Sequence, residues 1–225
     1  MKTNYLCGLF LLCVLVWGRS EAHAEKPLKT LDLYLCIGQS NMAGRGKLSP
    51  EVMDTLQNVY LLNADDQFEP AVNPLNRYST IGKGLSWQQV GPAYGFAKTM
   101  ATKKHPVGLI VNARGGSSIR SWVKNVKQSG GYYDEAIRRA KEAMKYGTLK
   151  AIIWHQGEAD CHHPEAYKEK IIQLMTDLRN DLGMPDLPVV VGQIAQWNWT
   201  KKPYIPEGTK PFNDMIKEIS TFLPH

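Results

Sequence analysis

Residues 31–46 read Leu-Asp-Leu-Tyr-Leu-Cys-Ile-Gly-Gln-Ser-Asn-Met-Ala-Gly-Arg-Gly. The apolar run from Leu31 to Ile37 has the length and composition of a strand buried on both faces of a parallel sheet. Gly38 ends the run, and Gln39, Ser40 and Asn41 follow. Small and polar groups therefore stand at the carboxyl end of a strand, where open α/β sheets place their ligand crevices. A serine at that point has its hydroxyl at the rim and backbone N–H groups around it, which is what a nucleophile with a developing oxyanion requires. The same residue also reads as a turn serine capping the next helix, so the rest of the chain decides.

Working outward, the pattern repeats. Asn58 to Leu62, Val107 to Val111, Ala151 to Trp154 and Pro188 to Val191 are short apolar runs that read as strands. Helical periods occupy Pro92 to Lys104, about Tyr132 to Tyr146, a clear stripe from Pro164 stopped by Gly183, and roughly Pro211 to Phe222. Strands alternating with helices imply an α/β protein whose parallel sheet is covered on both faces by right-handed crossovers. Asp65 to Gln89 holds Pro70, Pro74, Gly82 and Gly84 and has no apolar period. A long irregular stretch of this kind is usually functional, and Trp87 near its end reads as a sugar platform or as an ordinary packing tryptophan.

The 225 residues are 43% hydrophobic, enough for one sizeable core without a second domain. Lys2, the apolar stretch from Leu6 to Trp17 and the small-x-small site Ala22-His23-Ala24 mark residues 1–24 as a signal peptide, leaving 25–225 as the folded domain. A secreted or periplasmic protein is expected. That apolar run is shorter than the roughly 20 residues a span needs, and no later segment is long and apolar enough to cross a bilayer, so no membrane partner is expected. The net charge of +6 is scattered. No basic cluster alternates with aromatics as a nucleic-acid surface would, although a mild positive field suits acidic polymers as well as solubility. Cleavage removes Cys7 and Cys13, and Cys36 and Cys161 are expected to remain unpaired.

Three glycine- or hydroxyl-rich loops end three of the strands: Gly38-Gln39-Ser40-Asn41-Met42, Arg114-Gly115-Gly116-Ser117-Ser118 and Trp154-His155-Gln156-Gly157-Glu158-Ala159-Asp160. In that order they resemble the successive blocks of the SGNH hydrolase superfamily. More closely, they resemble the sialate O-acetylesterase group that includes the acetylxylan esterases of carbohydrate esterase family six. The resemblance implies a three-layer α/β/α sandwich with a flavodoxin-like parallel sheet of about five strands. It also implies a carbohydrate O-acetylesterase that needs no cofactor or metal and acts on an acetylated sugar or polysaccharide. Ser40 would attack the acetyl carbonyl. The N–H groups of Ser40 and Gly116, with the side-chain amide of Gln156, would hold the oxyanion. Glu158 would be a partner of the catalytic histidine or an anchor for its loop. Asn41, Arg114, Ser117, Trp122 and Trp87 are candidate substrate contacts; Arg114, Arg120 and Trp122 could line the crevice, a solvated or packing role being the better reading of each of those three.

One block of the group is not found. An Asp-x-x-His normally follows the fifth strand, and nothing of that form follows Trp197. The expectation is that this block lies beyond the given sequence; otherwise His225 would have to fold back to serve as the base. Serine without a base is a weak nucleophile, so a carbohydrate-binding module of the same fold is the competing reading. His155, Glu158, Asp160, His162 and His163 also crowd one segment, which raises a metal-dependent hydrolase. Their spacing is not that of two histidines one helical turn apart.

Overall fold

In a computed structural model of the protein, residues 30–124, 131–195 and 209–225 are described. The signal peptide assigned to residues 1–24, and Trp197, lie outside them. The elements in chain order are β1 (Leu31–Gly38), α1 (Ser40–Ala43), β2 (Val59–Leu62), β3 (Phe68–Pro70), α2 (Pro92–Met100), β4 (Val107–Ala113), α3 (Tyr132–Ala143), β5 (Gly147–His155), α4 (Pro164–Leu182), β6 (Val189–Val191), α5 (Thr209–Lys217) and α6 (Ile219–Phe222).

The sheet runs β3-β2-β4-β1-β5-β6. Every pairing is parallel except β2 with β3. The five parallel strands are the five expected from the apolar runs. Their order is that of flavodoxin with the first and third strands exchanged. The sixth strand, β3, is an antiparallel edge of three residues, Phe68-Glu69-Pro70. It is too short for a period, and its proline is tolerated only because the strand lies at an edge.

β1 is central, which explains its nearly unbroken apolar sequence. Leu33, Leu35 and Ile37 pack into the core beneath α3, α4 and α5, and Tyr34 and Cys36 pack into the one beneath α1 and α2. On the first face the Trp122 and Trp154 rings meet edge to face at 5.2 Å, and Tyr167 meets Phe212 at 4.7 Å. Such pairs add to the burial of their large apolar area. α4 begins at Pro164 and stops at Gly183, whose φ of 67° closes the helix with a left-handed residue. The last helical stretch is broken at Glu218 into α5 and α6.

The topology fixes the site. β4 and β5 are the two neighbours of β1, and Gly38 at the end of β1 is in register with Ala113 on one side and His155 on the other. The three loops singled out in the sequence therefore leave adjacent strands at the same level.

Candidate active site

The turn after β1 depends on Gly38. Its φ is +141°, and a Cβ there would meet the carbonyl oxygen of His155 at 2.1 Å. Any other side chain would force β1 and β5 apart, so only glycine permits this close approach. The Gln39 N–H donates to the His155 carbonyl at 3.0 Å, and the Arg114 N–H donates to the Gly38 carbonyl at 3.0 Å. All three loops are thus stitched together at the turn. Ser40 opens α1, half-buried, with the amide of Gln39 3.5 Å from its Oγ.

The β4 loop faces it. A Cβ placed on Gly115 would lie 3.9 Å from Ser40 Cβ and 2.9 Å from the Arg45 guanidinium. Gly116 is exposed with φ +75°, a left-handed conformation that glycine adopts without strain. Arg114 donates from Nη1 to the carbonyls of Ile81 and Gly82 at 3.0 and 3.1 Å, and Arg45 donates to the carbonyl of Trp87 at 2.5 Å. The two arginines therefore pin the irregular 81–87 segment against the rim. Trp87 is left 59% exposed there. Lys83 brings its Nζ to 3.5 Å from where a Gly116 Cβ would stand.

The β5 loop supplies the bracing. Gln156 is fully buried, and its amide nitrogen donates to Gln39 Oε1 at 2.9 Å, to the Ser117 carbonyl at 3.2 Å and to Asp160 Oδ2 at 2.5 Å. Its own oxygen is buried without a partner. Contrary to the sequence expectation, the amide is committed to the loops below Ser40 rather than to the open crevice. Asp160 also accepts from Ser118 Oγ at 2.6 Å and from the Ile119 N–H at 2.9 Å, tying the β4 and β5 loops together. Glu158 accepts from the Asn41 side chain, which ties the β1 loop to the β5 loop. Burial pushes the His155 imidazole below its ordinary value, with the nearby Glu158 carboxylate pulling the other way. His155 Nδ1 and Glu158 Oε2 are both buried without a hydrogen-bond partner.

Two expected residues lie away from the crevice and a third is buried beneath it. Trp122 is 1% exposed and donates from its indole to Ser117 Oγ at 3.2 Å, so both residues support the β4 loop from the core. A tryptophan in that loop buries more apolar area against Trp154 than it could at the rim. His225 lies at the opposite end of the sheet, its carbonyl accepting from the Val189 N–H at the start of β6 and from Arg179. It cannot reach Ser40 from there. Among the described residues, no three of His, Cys, Asp and Glu converge as a metal-ligand set. Cys36 and Cys161 are free and belong to the cores on opposite faces of the sheet.

The family model for carbohydrate esterases described as sialic acid-specific acetylesterases matches residues 30–222. The chain belongs to this family. The esterase is 30% identical over 200 residues to a protein of Arabidopsis thaliana named "Probable carbohydrate esterase At4g34215", covering 79% of this chain and 74% of that one. The crystal structure of that Arabidopsis protein superposes with a TM-score of 0.69 at 28% identity, covering 87% and 82% of the two chains. A carbohydrate acetylesterase from Xanthomonas citri, XAC1771, and the protein NanS share the fold, with TM-scores of 0.60 and 0.61 at 18% and 16% identity. The former match covers 86% of this chain and 48% of the other, and the latter 86% and 75%.

Two residues of the esterase's rim were missed in its sequence. Gln39 is 3% exposed, the acceptor of Gln156 and the one side-chain donor beside Ser40 Oγ among the described residues. A glutamine between a buried strand and a helix start is itself unusual, because a long polar side chain is rarely buried without a purpose. Asp160, named in the sequence only within its motif and as a candidate metal ligand, joins two of the three loops.

Proposed function

We propose that this carbohydrate esterase is a serine O-acetylesterase, with Ser40 attacking the acetyl carbonyl of an acetylated sugar, the ester bond breaking so that the sugar leaves as its alcohol with the serine's proton, and water then hydrolysing the acetyl-enzyme to acetate and free Ser40. The N–H groups of Ser40 and Gly116 are the oxyanion donors. The first-turn N–H groups of α1 have no side-chain cap, and such orphan donors bind negative charge readily. Gln39 supplies an amide beside the nucleophile, and Gln156, Asp160 and Glu158 hold the three loops in register. Trp87 offers an apolar platform for the sugar ring at the rim.

The observation that supports this reading best is the meeting of three loop ends at one level of the sheet, with the half-buried Ser40 between the diglycine loop and the Gln156 loop. Its test is acetate release from acetylated xylo-oligosaccharide, acetylated sialate and an aryl acetate by the wild type and by Ser40→Ala. Release by the wild type alone is expected. Equal release by the two proteins refutes the mechanism.

A further inference from the structure

Beside the nucleophile's loops lies a cleft of about 500 Å³, a size typical of small-ligand sites. Its wall includes Ser118, Arg120, Asp160, His162, His163 and Lys170. We infer that this cleft binds an anionic unit of the glycan chain, a uronate carboxylate or a sulfate ester, next to the sugar that carries the acetyl group. The inference rests on the esterase reading and adds to it a substrate class.

Three observations carry it. Arg120, His162, His163 and Lys170 line one cleft, and among the described residues none of the four has an ion-pair partner there. The one carboxylate in the wall, Asp160, is already occupied by Ser118 Oγ, the Ile119 N–H and the Gln156 amide. Both of its oxygens are thus engaged, and its single charge stands against the Arg120 and Lys170 cations in the same wall. The cleft also opens at the start of α4, a helix of 19 residues whose amino-terminal positive potential is offset in part by Glu165 in its first turn.

The cleft is joined to the nucleophile by a short chain of side chains. Asp160 accepts from Gln156, Gln156 donates to Gln39 Oε1, and the Gln39 amide stands 3.5 Å from Ser40 Oγ. The cleft and the nucleophile are therefore built on the same loops, and a sugar unit next to the acetylated one is the occupant assigned to it. Arginine and lysine serve different parts of that task. The planar Arg120 guanidinium matches the two oxygens of a carboxylate or sulfate, and Lys170 contributes a point charge.

The test separates binding from catalysis by using the Ser40→Ala chain. Binding of a de-acetylated oligogalacturonide, a sulfated oligosaccharide and a neutral xylo-oligosaccharide is measured by calorimetry. The two anionic ligands are expected to bind, and the neutral one to bind at least about tenfold more weakly, the change one charge-assisted hydrogen bond produces. Added salt weakens the anionic complexes because it screens an exposed site. Lys170→Glu and the milder Lys170→Gln, added to the Ser40→Ala chain, weaken both anionic ligands in that order. In the otherwise wild-type chain each raises KM for an acetylated oligo-uronide while kcat, and turnover of a neutral aryl acetate, stay unchanged. Preference between the uronide and the sulfated ligand identifies which anion the cleft takes. Anionic binding without acetate release upholds the cleft and rejects the esterase mechanism. Acetate release at equal efficiency from neutral and anionic chains, with Lys170→Glu silent, upholds the esterase and overturns the cleft. Single-stranded DNA competing as strongly as the uronide overturns the glycan assignment.

Discussion

Replacing Gln156 by glutamate changes one NH2 group to oxygen at constant shape, and the geometry around it sets the cost. The amide nitrogen now faces three acceptors, Gln39 Oε1, the Ser117 carbonyl and Asp160 Oδ2, and the side chain is fully buried. An ionised carboxyl there would repel all three and stand against a second carboxylate, so it takes up a proton instead. One proton satisfies one acceptor. The two hydrogens of the amide become one, so one donated bond is lost at about 1–3 kcal/mol, against a usual stability of about 5–15 kcal/mol. The sign with pH follows. The introduced carboxyl has a folded-state pKa raised above its unfolded value of roughly 4.3, so the variant is hurt most at neutral pH and recovers as pH falls toward that value. A single proton gives a slope of up to about 1.4 kcal/mol per pH unit. Urea unfolding of Gln156→Glu, of the uncharged Gln156→Met and of the wild type at neutral and mildly acidic pH measures this. Gln156→Met is expected to lose stability without the pH slope. A Gln156→Glu penalty below about 1 kcal/mol and independent of pH would refute the placement of this amide.

Gly38→Ala brings a methyl within 2.1 Å of the His155 carbonyl in a backbone conformation with φ +141°, and is expected to cost more than about 3 kcal/mol; thermal unfolding measures the loss. Trp122→Ala is expected to cost about 3–5 kcal/mol by emptying the core behind the β4 loop, while KM for a sugar ester, measured well below the variant's melting temperature, changes little; a large KM rise without loss of stability would return Trp122 to the crevice. Burial pushes the Cys36 thiol up to about 12 and raises that of Cys161, so neither is expected to react with a thiol reagent in the folded protein at mildly alkaline pH. Titration before and after denaturation checks this, and rapid labelling of the native chain contradicts it.

How much of this was legible in the sequence differs by element. β1 was readable because a central parallel strand buries both faces, so its residues carry no polar alternation to confuse with a helix. α4 was readable to the residue at both ends, since Pro164 and Gly183 are chemical start and stop signals. β3 was not, because three residues ending in proline carry no period. The placement of Ser40, Gly115 and Gly116 together followed from reading all three loops as strand ends. The direction of side chains within those loops did not follow. Whether Trp122 faces the rim or the core, and whether the Gln156 amide serves the crevice or the loops beneath, depends on partners distant in the chain: Trp154 for one, Gln39 and Asp160 for the other. His225 was considered for the site only because no other late histidine offered itself, and Arg179 and the β6 edge hold it at the far end of the sheet.

The central claim is that the hydroxyl of Ser40 is the attacking group. Incubating the protein with an aryl acetate, quenching in acid and mapping the acetylated peptide by mass spectrometry tests it most directly. The account predicts a transient acetyl group on the peptide containing Ser40, absent from Ser40→Ala. Acetate turnover with that peptide unmodified throughout, and undiminished in Ser40→Ala, would contradict it.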